Sequence, residues 1–442
     1  MAATLHEFPS LLRTPPQAAT AVQLLDLARD AAGGMRVAHD KLEALPPDRR
    51  SALVESAARQ VVERLIRERK VKCSTEERNE AVQEAVDELI GFGPIGALLR
   101  EDDVDEIMVN GPREIWVERK GKVTKTHRTF RDDAHVLQII DRIVTPLGRV
   151  IDAKRPLCDA RLPDGSRVNC VIPPLAIDGP SITIRKFKKD RLTIDDLVRF
   201  GTVTQPMADF LAACVKGRLN VVISGGTGSG KTTTLNILSN FIPNGERIVT
   251  VEDAAELQLQ QDHVVRLETR PPDLDGTGAI TIRDLVRNTL RMRPERIVVG
   301  EIRGGEAFDM LQAMNTGHDG SLTTGHANSP RHMIRRIESM CMMAGLDIPM
   351  AAIREQIATA VHLIVQQSRL HDGTRRITHI TEVQGMESGV VTLSDIFVFR
   401  PKGVDENGKV LGSLEPTGIR PQFEEHLRHH AVTLPREMFQ NG

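Results

Sequence analysis

Residues 219–238 read LNVVISGGTGSGKTTTLNIL. The β-branched run Val221-Val222-Ile223 predicts a buried strand, the glycines predict a loop, and the stretch from Lys231 predicts a helix. The loop fits G-x-x-x-x-G-K-[ST], with Gly225, Gly230, Lys231 and Thr232 in the fixed positions. Glycine is needed there because the backbone must take positive φ and bring successive N–H groups against phosphate oxygens. The helix start adds unpaired N–H groups and the positive end of its dipole. Gly225, Gly226, Thr227, Gly228, Ser229, Gly230, Lys231, Thr232 and Thr233 therefore read as the cradle of a nucleotide triphosphate. Lys231 would place charge on the β/γ-phosphates, and Thr232 would offer a hydroxyl to Mg²⁺.

Downstream, Arg247–Glu252 (RIVTVE) and Arg296–Glu301 (RIVVGE) are apolar runs that end in an acid. Runs of this kind form parallel strands buried on both faces of an α/β sheet, and ligands bind at the carboxyl ends of such strands. Both glutamates are expected at the edge that carries the loop. Thr204-Gln205-Pro206 opens a helix that Gly217 ends, and later strands are expected over 362–366, 377–382 and 395–399. Together, residues 201–400 read as a P-loop domain of α/β class built on a mostly parallel sheet.

Hydrolysis needs a cation near the β/γ-phosphates and a water in line with the γ-phosphorus. Gly300 precedes Glu301 with no aspartate at the strand end, so Glu301 is the candidate for Mg²⁺, through water. Glu252 is the candidate to polarise the attacking water, ahead of its neighbour Asp253. His326, behind Thr323-Thr324-Gly325, could hydrogen-bond a γ-phosphate or a carboxylate, and His318 sits in a similar run of small residues. No N-K-x-D element for reading guanine is present, which weakens a GTPase reading. Arginines that neutralise γ-phosphate charge often come from another segment, and Arg161, Arg167 and Arg185 are candidates.

Upstream, residues 1–18 lack periodicity and carry Pro9, Pro15 and Pro16, and they read as disordered. Residues 19–92 read as a helical bundle, with Leu53, Ala57, Val61 and Leu65 recurring on one face. Ser74-Thr75-Glu76-Glu77 is a capping box opening a further helix with Ala81, Val82, Ala85, Val86, Leu89 and Ile90 on its apolar side. Residues 93–185 read as a smaller α/β domain: short strands over 104–109 and 114–118, a hairpin tip at Lys120-Gly121-Lys122, a helix over 132–145, then strands over 159–162, 167–172 and 181–185. Residues 186–200 read as a charged linker through Lys186, Lys188, Lys189 and Arg191, and 401–442 as a Gly/Pro/charge-rich tail.

The totals narrow the function classes. With 58 Lys+Arg against 60 Asp+Glu, the net charge of −2 argues against bulk electrostatic binding to nucleic acid or to a membrane surface. Twelve Phe, one Trp and no Tyr leave no evident stacking platform for single strands. No apolar run is long enough to span a bilayer, no secretory leader is evident, and five scattered cysteines without a C-x-x-C pair point to a reduced, cytoplasmic protein.

Taken together, GGTGSGKT, RIVTVEDAAELQL, RMRPERIVVGEIRGGEAFDMLQAMNTGHDGS and TTGHANSP resemble the secretion-ATPase superfamily of type II secretion, type IV pili and type IV secretion, over roughly residues 93–400. DEIMVNGPREIWVERKGK, ARLPDGSRVN, SITIRKF, VVRLETRPP and SDIFVF look like the pilus-assembly ATPases of the Tad/Flp systems, whose three-helix N-terminal segment 19–92 also resembles. The resemblance implies a homo-hexameric ring of ATP-hydrolysing subunits, each with a PAS-like N-terminal domain and a RecA-like domain and with ATP and Mg²⁺ between the two. It makes Glu252 the catalytic base, Glu301 the acid of an atypical Walker B, His326 the His-box histidine, and Arg167 and Arg185 the arginines that approach the γ-phosphate; Arg161 matches less clearly. Gly325 stands where relatives often carry an apolar residue in T-x-H-A-N. The implied role is a motor at the inner face of the bacterial cytoplasmic membrane that works on platform proteins, without direct nucleic-acid contact, to assemble and also to retract a pilus or drive a type II-like secretion apparatus. The alternative is a conjugation ATPase of type IV secretion that moves DNA–protein cargo.

Overall fold

The computed structural model describes Asp30 and residues 47–119, 121–187, 192–272, 276–406 and 408–440. The expectations for residues 1–18, for the helix before residue 47 (Asp30 apart), for Lys120 at the hairpin tip and for Lys188, Lys189 and Arg191 of the linker lie outside these residues. The chain divides into two compact units, Met1–Lys189 and Asp190–Gly442.

In the first unit the helix Pro47–Arg69 packs on the helix Thr75–Ile90. Its buried row is Val54, Ala58, Val62 and Ile66, one position on from the expected face; Leu53 is exposed, and Ala57, Val61 and Leu65 only flank the contact. Two adjacent apolar rows share this helix, and the second lies at the centre of the stripe. The capping box forms as read: Ser74 Oγ accepts the Glu77 N–H at 3.1 Å and Glu77 Oε2 accepts the Ser74 N–H at 2.7 Å.

The same unit holds an antiparallel sheet. Its strands are β1 (Glu106–Asn110), β2 (Ile115–Arg119), β3 (Lys122–Lys125), β4 (Leu157–Arg161), β5 (Arg167–Val171) and β6 (Ser181–Arg185), in the order β3-β2-β1-β6-β5-β4. Alternation puts Ile107, Val109, Ile115, Val117, Val168, Cys170, Ile182 and Ile184 in the core, with Val136, Ile139, Ile140 and Ile143 of the helix Asp133–Val144. The opposite face carries a row of charge. Register pairs Arg161 with Arg167, Arg167 with Arg185, Arg185 with Glu106, and Glu106 with Glu118. The helix Thr75–Ile90 is tied in through Arg128–Glu84 (2.8 Å), His135–Glu88 (3.1 Å) and Arg100–Asp87 (2.7 Å).

The second unit is built on a nine-stranded sheet. Its strands are β7 (Val221–Gly225), β8 (Ile248–Glu252), β9 (Val264–Glu268), β10 (Arg296–Ile302), β11 (Leu322–Gly325), β12 (Leu363–Arg369), β13 (Arg375–Glu387), β14 (Val390–Val404) and β15 (Val410–Pro416). The order is β15-β14-β13-β12-β7-β11-β10-β8-β9, with β12 to β9 mutually parallel and β13 to β15 antiparallel. All five residues of β7 and of β8 are buried, as continuous apolar runs in a covered parallel sheet require. The α/β fold class expected for residues 201–400 is what forms, and the carboxyl ends of β7, β8, β10 and β11 share one edge.

The opposite edge is locked by Arg296, whose side chain is fully buried. Its Nε donates to Glu246 at 2.6 Å and its Nη1 to the Val215 and Gly320 carbonyls at 3.0 and 3.3 Å. The stretch after β15, expected as a tail, returns to the core. Phe423, Leu427, Leu434 and Phe439 join the cluster around Phe210 and Phe397, and the Phe210–Phe439 ring centroids lie 6.0 Å apart. The buried carboxylate of Glu382 accepts the Phe423 N–H at 3.1 Å.

Candidate active site

The loop after β7 has the curl that its glycines predict. Gly228 and Gly230 take φ of +69° and +97°, and Gly230 caps the helix Lys231–Ser239. A Cβ at Gly225 would stand 2.3 Å from the Gln367 carbonyl oxygen of β12, so the first glycine is demanded by strand packing. Lys231 is buried: its Nζ donates to the Gly226 carbonyl at 3.0 Å and lies 3.3 Å from His326 Nδ1. Burial lowers its pKa. Thr227, Gly228, Thr232 and Thr233 are exposed on the loop and the first turn, while Gly226 and Ser229 shape the turn, the Ser229 hydroxyl donating to the Gly226 carbonyl at 2.9 Å.

Glu301 is aimed by an irregularity in β10. Val299 pairs with Thr323 and Ile302 with Gly325, so Gly300 and Glu301 together oppose Thr324, whose hydroxyl donates to the Gly300 carbonyl at 2.8 Å. Glu301 Oε1 then lies 2.8 Å from His326 Nε2, without hydrogen-bond alignment, and Oε2 accepts from Arg303 Nε at 2.8 Å. Arg303 also reaches Asp253 at 3.3 Å. Lys231 can only donate, so His326 Nδ1 accepts from it and the ring proton sits on Nε2, next to the carboxylate but not aligned with it. Burial lowers the pKa of His326, against the pull of Glu301 and with the push of Lys231 and Arg303.

Glu252 ends β8, 2% exposed. Its Oε2 accepts the N–H groups of Glu256 and Leu257 at 2.7 and 2.9 Å, and its Oε1 is buried with no partner. Burial raises its pKa, opposed by those two N–H groups. Gly300 makes room for it, since a Cβ there would stand 3.1 Å from Glu252 Cγ.

Lys231, Glu252, Glu301 and His326 thus meet at one sheet edge, and the arrangement can hold a triphosphate beside a buried, partly unsatisfied carboxylate. The donors fit Mg²⁺: the Thr232 hydroxyl and Glu301 carboxylate are hard oxygens, and Glu301 Oε1 is a buried acceptor without a hydrogen bond. His318 is placed apart, its Nδ1 3.3 Å from the Ala313 carbonyl at a helix end. Arg161, Arg167 and Arg185 belong to the first unit, side by side in the charged row of β4, β5 and β6. At Gly325 the apolar volume comes from Met333, whose Cε lies 2.6 Å from the position a Cβ would take.

Sequence reasoning missed three side chains here. Arg303 sits two residues after Glu301, a spacing that in itself signals nothing. Gln367 and Arg375 come from the β12–β13 hairpin, far from the loop in sequence: Gln367 Oε1 accepts the Thr234 hydroxyl at 2.8 Å, and Arg375 Nε donates to the Gly228 carbonyl at 3.0 Å.

Comparison with known proteins gives the family of the chain. The family model described as type II/IV secretion system protein matches residues 88–409. A Mycobacterium tuberculosis protein named for conjugal transfer is 36% identical over 309 residues, 69% of this chain and 87% of its own length. The type IV secretion system protein PtlH of Bordetella pertussis is 34% identical over 305 residues, 63% of this chain and 89% of its own. Among solved structures, the VirB11 ATPase of the Brucella suis type IV secretion system, in complex with sulphate, is 30% identical with a TM-score of 0.36, covering 65% of this chain and 94% of that one. The pilus retraction motor PilT with bound ADP is 16% identical with a TM-score of 0.47, covering 76% and 86%.

Proposed function

The chain belongs to the type II/IV secretion system protein family, and from that premise we propose that it hydrolyses ATP to drive a membrane-bound pilus or secretion machine. The observation that carries the reading is the convergence of Lys231, Glu252, Glu301 and His326 on the edge that bears the phosphate loop. The loop N–H groups and Lys231 hold the phosphates, and Glu252, with one oxygen pinned by two N–H groups and the other free, orients the attacking water and takes its proton. Thr232 and Glu301 would hold Mg²⁺, which when bound neutralises phosphate charge. His326 keeps Lys231 and Glu301 in register. The resemblance assigns Arg167 and Arg185 the role of supplying γ-phosphate charge, and on it rests the reading of six copies in a working ring. The barrier falls through positioning and charge neutralisation.

The Tad/Flp-like stretches favour pilus assembly as the task, with inner-membrane platform proteins as partners at the cytoplasmic face. A second reading, export of DNA–protein cargo, is favoured by relatives whose names refer to conjugal transfer and type IV secretion. Turnover by the purified chain tests the enzyme: Lys231→Ala should abolish phosphate release, and an unchanged rate would refute the site. Recovery of polytopic platform proteins from membranes supports the pilus task. Stimulation by single-stranded DNA that fades at higher salt supports the other.

A further inference from the structure

The hairpin of β12 and β13 ends against the phosphate loop. Gln367 pairs with Gly225 of β7, its backbone oxygen filling the space beside that glycine and its side chain holding Thr234. Two residues further out, Arg369 and Arg375 face each other directly across the antiparallel ladder. Both are exposed. Like charges placed directly opposite destabilise a strand pair, so this position is unfavourable to the fold as it stands. Nothing nearby neutralises it: among the described residues neither guanidinium has a carboxylate within ion-pair distance. The acid in the intervening turn, Asp372, is engaged elsewhere, accepting from the Thr374 N–H and hydroxyl and from the Val410 N–H, which hold its carboxyl down at about 2. Both arginines border the loop. Arg375 Nε donates to the Gly228 carbonyl, and Arg369 Nη1 lies 3.9 Å from where a Gly228 Cβ would stand.

We propose that Arg369 and Arg375 form a second anion contact of the nucleotide site, taking phosphate charge from the flank of the loop opposite the acids. The inference rests on the nucleotide reading above. A nucleoside di- or triphosphate is the ligand that turns the repulsive pair into a clamp, because both cations can share the charge of one anion. Arg375 has a second task, holding the loop through Gly228, so its loss mixes positioning with charge. Arg369 donates no hydrogen bond to the loop, so its replacement reads the charge alone.

The test is ADP titration of the full chain, followed by intrinsic stability and by binding, at low and high salt. Arg369→Ala should leave the unliganded protein as stable as the parent or slightly more so, while ADP affinity falls about five- to twentyfold at low salt and less at high salt. Arg369→Lys should recover part of the loss, and Arg375→Ala should lose more than Arg369→Ala. Parental ADP affinity in Arg369→Ala at low salt, or a fall in its unliganded stability, overturns the anion contact while leaving the nucleotide reading intact. A parent chain that binds no ADP overturns both.

Discussion

Lys231 and Glu301 touch opposite nitrogens of one imidazole: His326 Nδ1 lies 3.3 Å from the ammonium and Nε2 lies 2.8 Å from the carboxylate. In its neutral form the ring accepts from the ammonium on one side and lies beside the carboxylate, out of hydrogen-bond alignment, on the other.

That geometry sets the first expectation. His326→Ala should lower ATP turnover by about 10- to 100-fold, the range for a group that orients site ligands. ADP affinity should move far less, because the loop and Lys231 remain. Steady-state kinetics beside ADP titration separate the two, and an equal loss in both would mean that the ring only supports the loop.

Glu252→Gln keeps the size and both N–H contacts but removes the base. Nucleotide binding should persist while turnover falls by about 10²- to 10⁴-fold. The parent should also show a falling rate as pH drops through a value above the usual glutamate range, because burial raises the pKa of this carboxyl and only the ionised form accepts a proton. Protonation of His326 enters at lower pH than for a free histidine, since its pKa is lowered. A pH–rate profile for the parent, with single-turnover measurements on the variant, checks both statements.

Arg303 competes for the carboxylate assigned to Mg²⁺, because Glu301 Oε2 is already bonded to it. Arg303→Ala should reduce the Mg²⁺ needed for half-maximal nucleotide binding by about two- to fivefold, the factor set by a partly exposed pair worth up to about 1 kcal/mol. Titrating Mg²⁺ at fixed ADP reads this directly. An unchanged midpoint would mean that Arg303 and the cation use Glu301 independently.

Gly320→Ala should be severe although it lies far from the phosphates in its own loop. Gly320 has φ +84°, and a Cβ there would stand 1.7 Å from Arg296 Nη1. The guanidinium must move off the Val215 and Gly320 carbonyls and strain its bond to Glu246. Disrupting a buried ion pair costs about 3–5 kcal/mol. Denaturant unfolding should show that loss, and a variant within about 0.5 kcal/mol of the parent would refute the packing described.

Strand identity was legible wherever residues were apolar in the right period. RIVTVE and RIVVGE became β8 and β10 because burial of both faces leaves few other solutions, and SITIR became β6 because its alternation puts Ile182 and Ile184 in the core and leaves Arg185 outside. β11 was harder to see, since LTTG has little apolar character of its own and is buried by its neighbours β7 and β10. The helix Pro47–Arg69 shows a related limit: two adjacent apolar rows fit one period, and only the packing partner selects Val54, Ala58, Val62 and Ile66. At the site, strand-end acids and the loop lysine could be read locally. Gln367, Arg369 and Arg375 could not, because parallel pairing of β12 with β7 joins segments more than a hundred residues apart.

The return of residues 421–439 to the core changes how the far end of this chain should be handled. Phe423, Leu427, Leu434 and Phe439 cap the aromatic cluster around Phe210, and Glu382 fastens their approach. A chain cut after β15 would leave that cluster open to water and Glu382 Oε1 without the Phe423 N–H, so it should aggregate rather than yield a leaner protein. The segment is a keystone, and fused reporters or affinity handles placed before Phe439 would pry it loose.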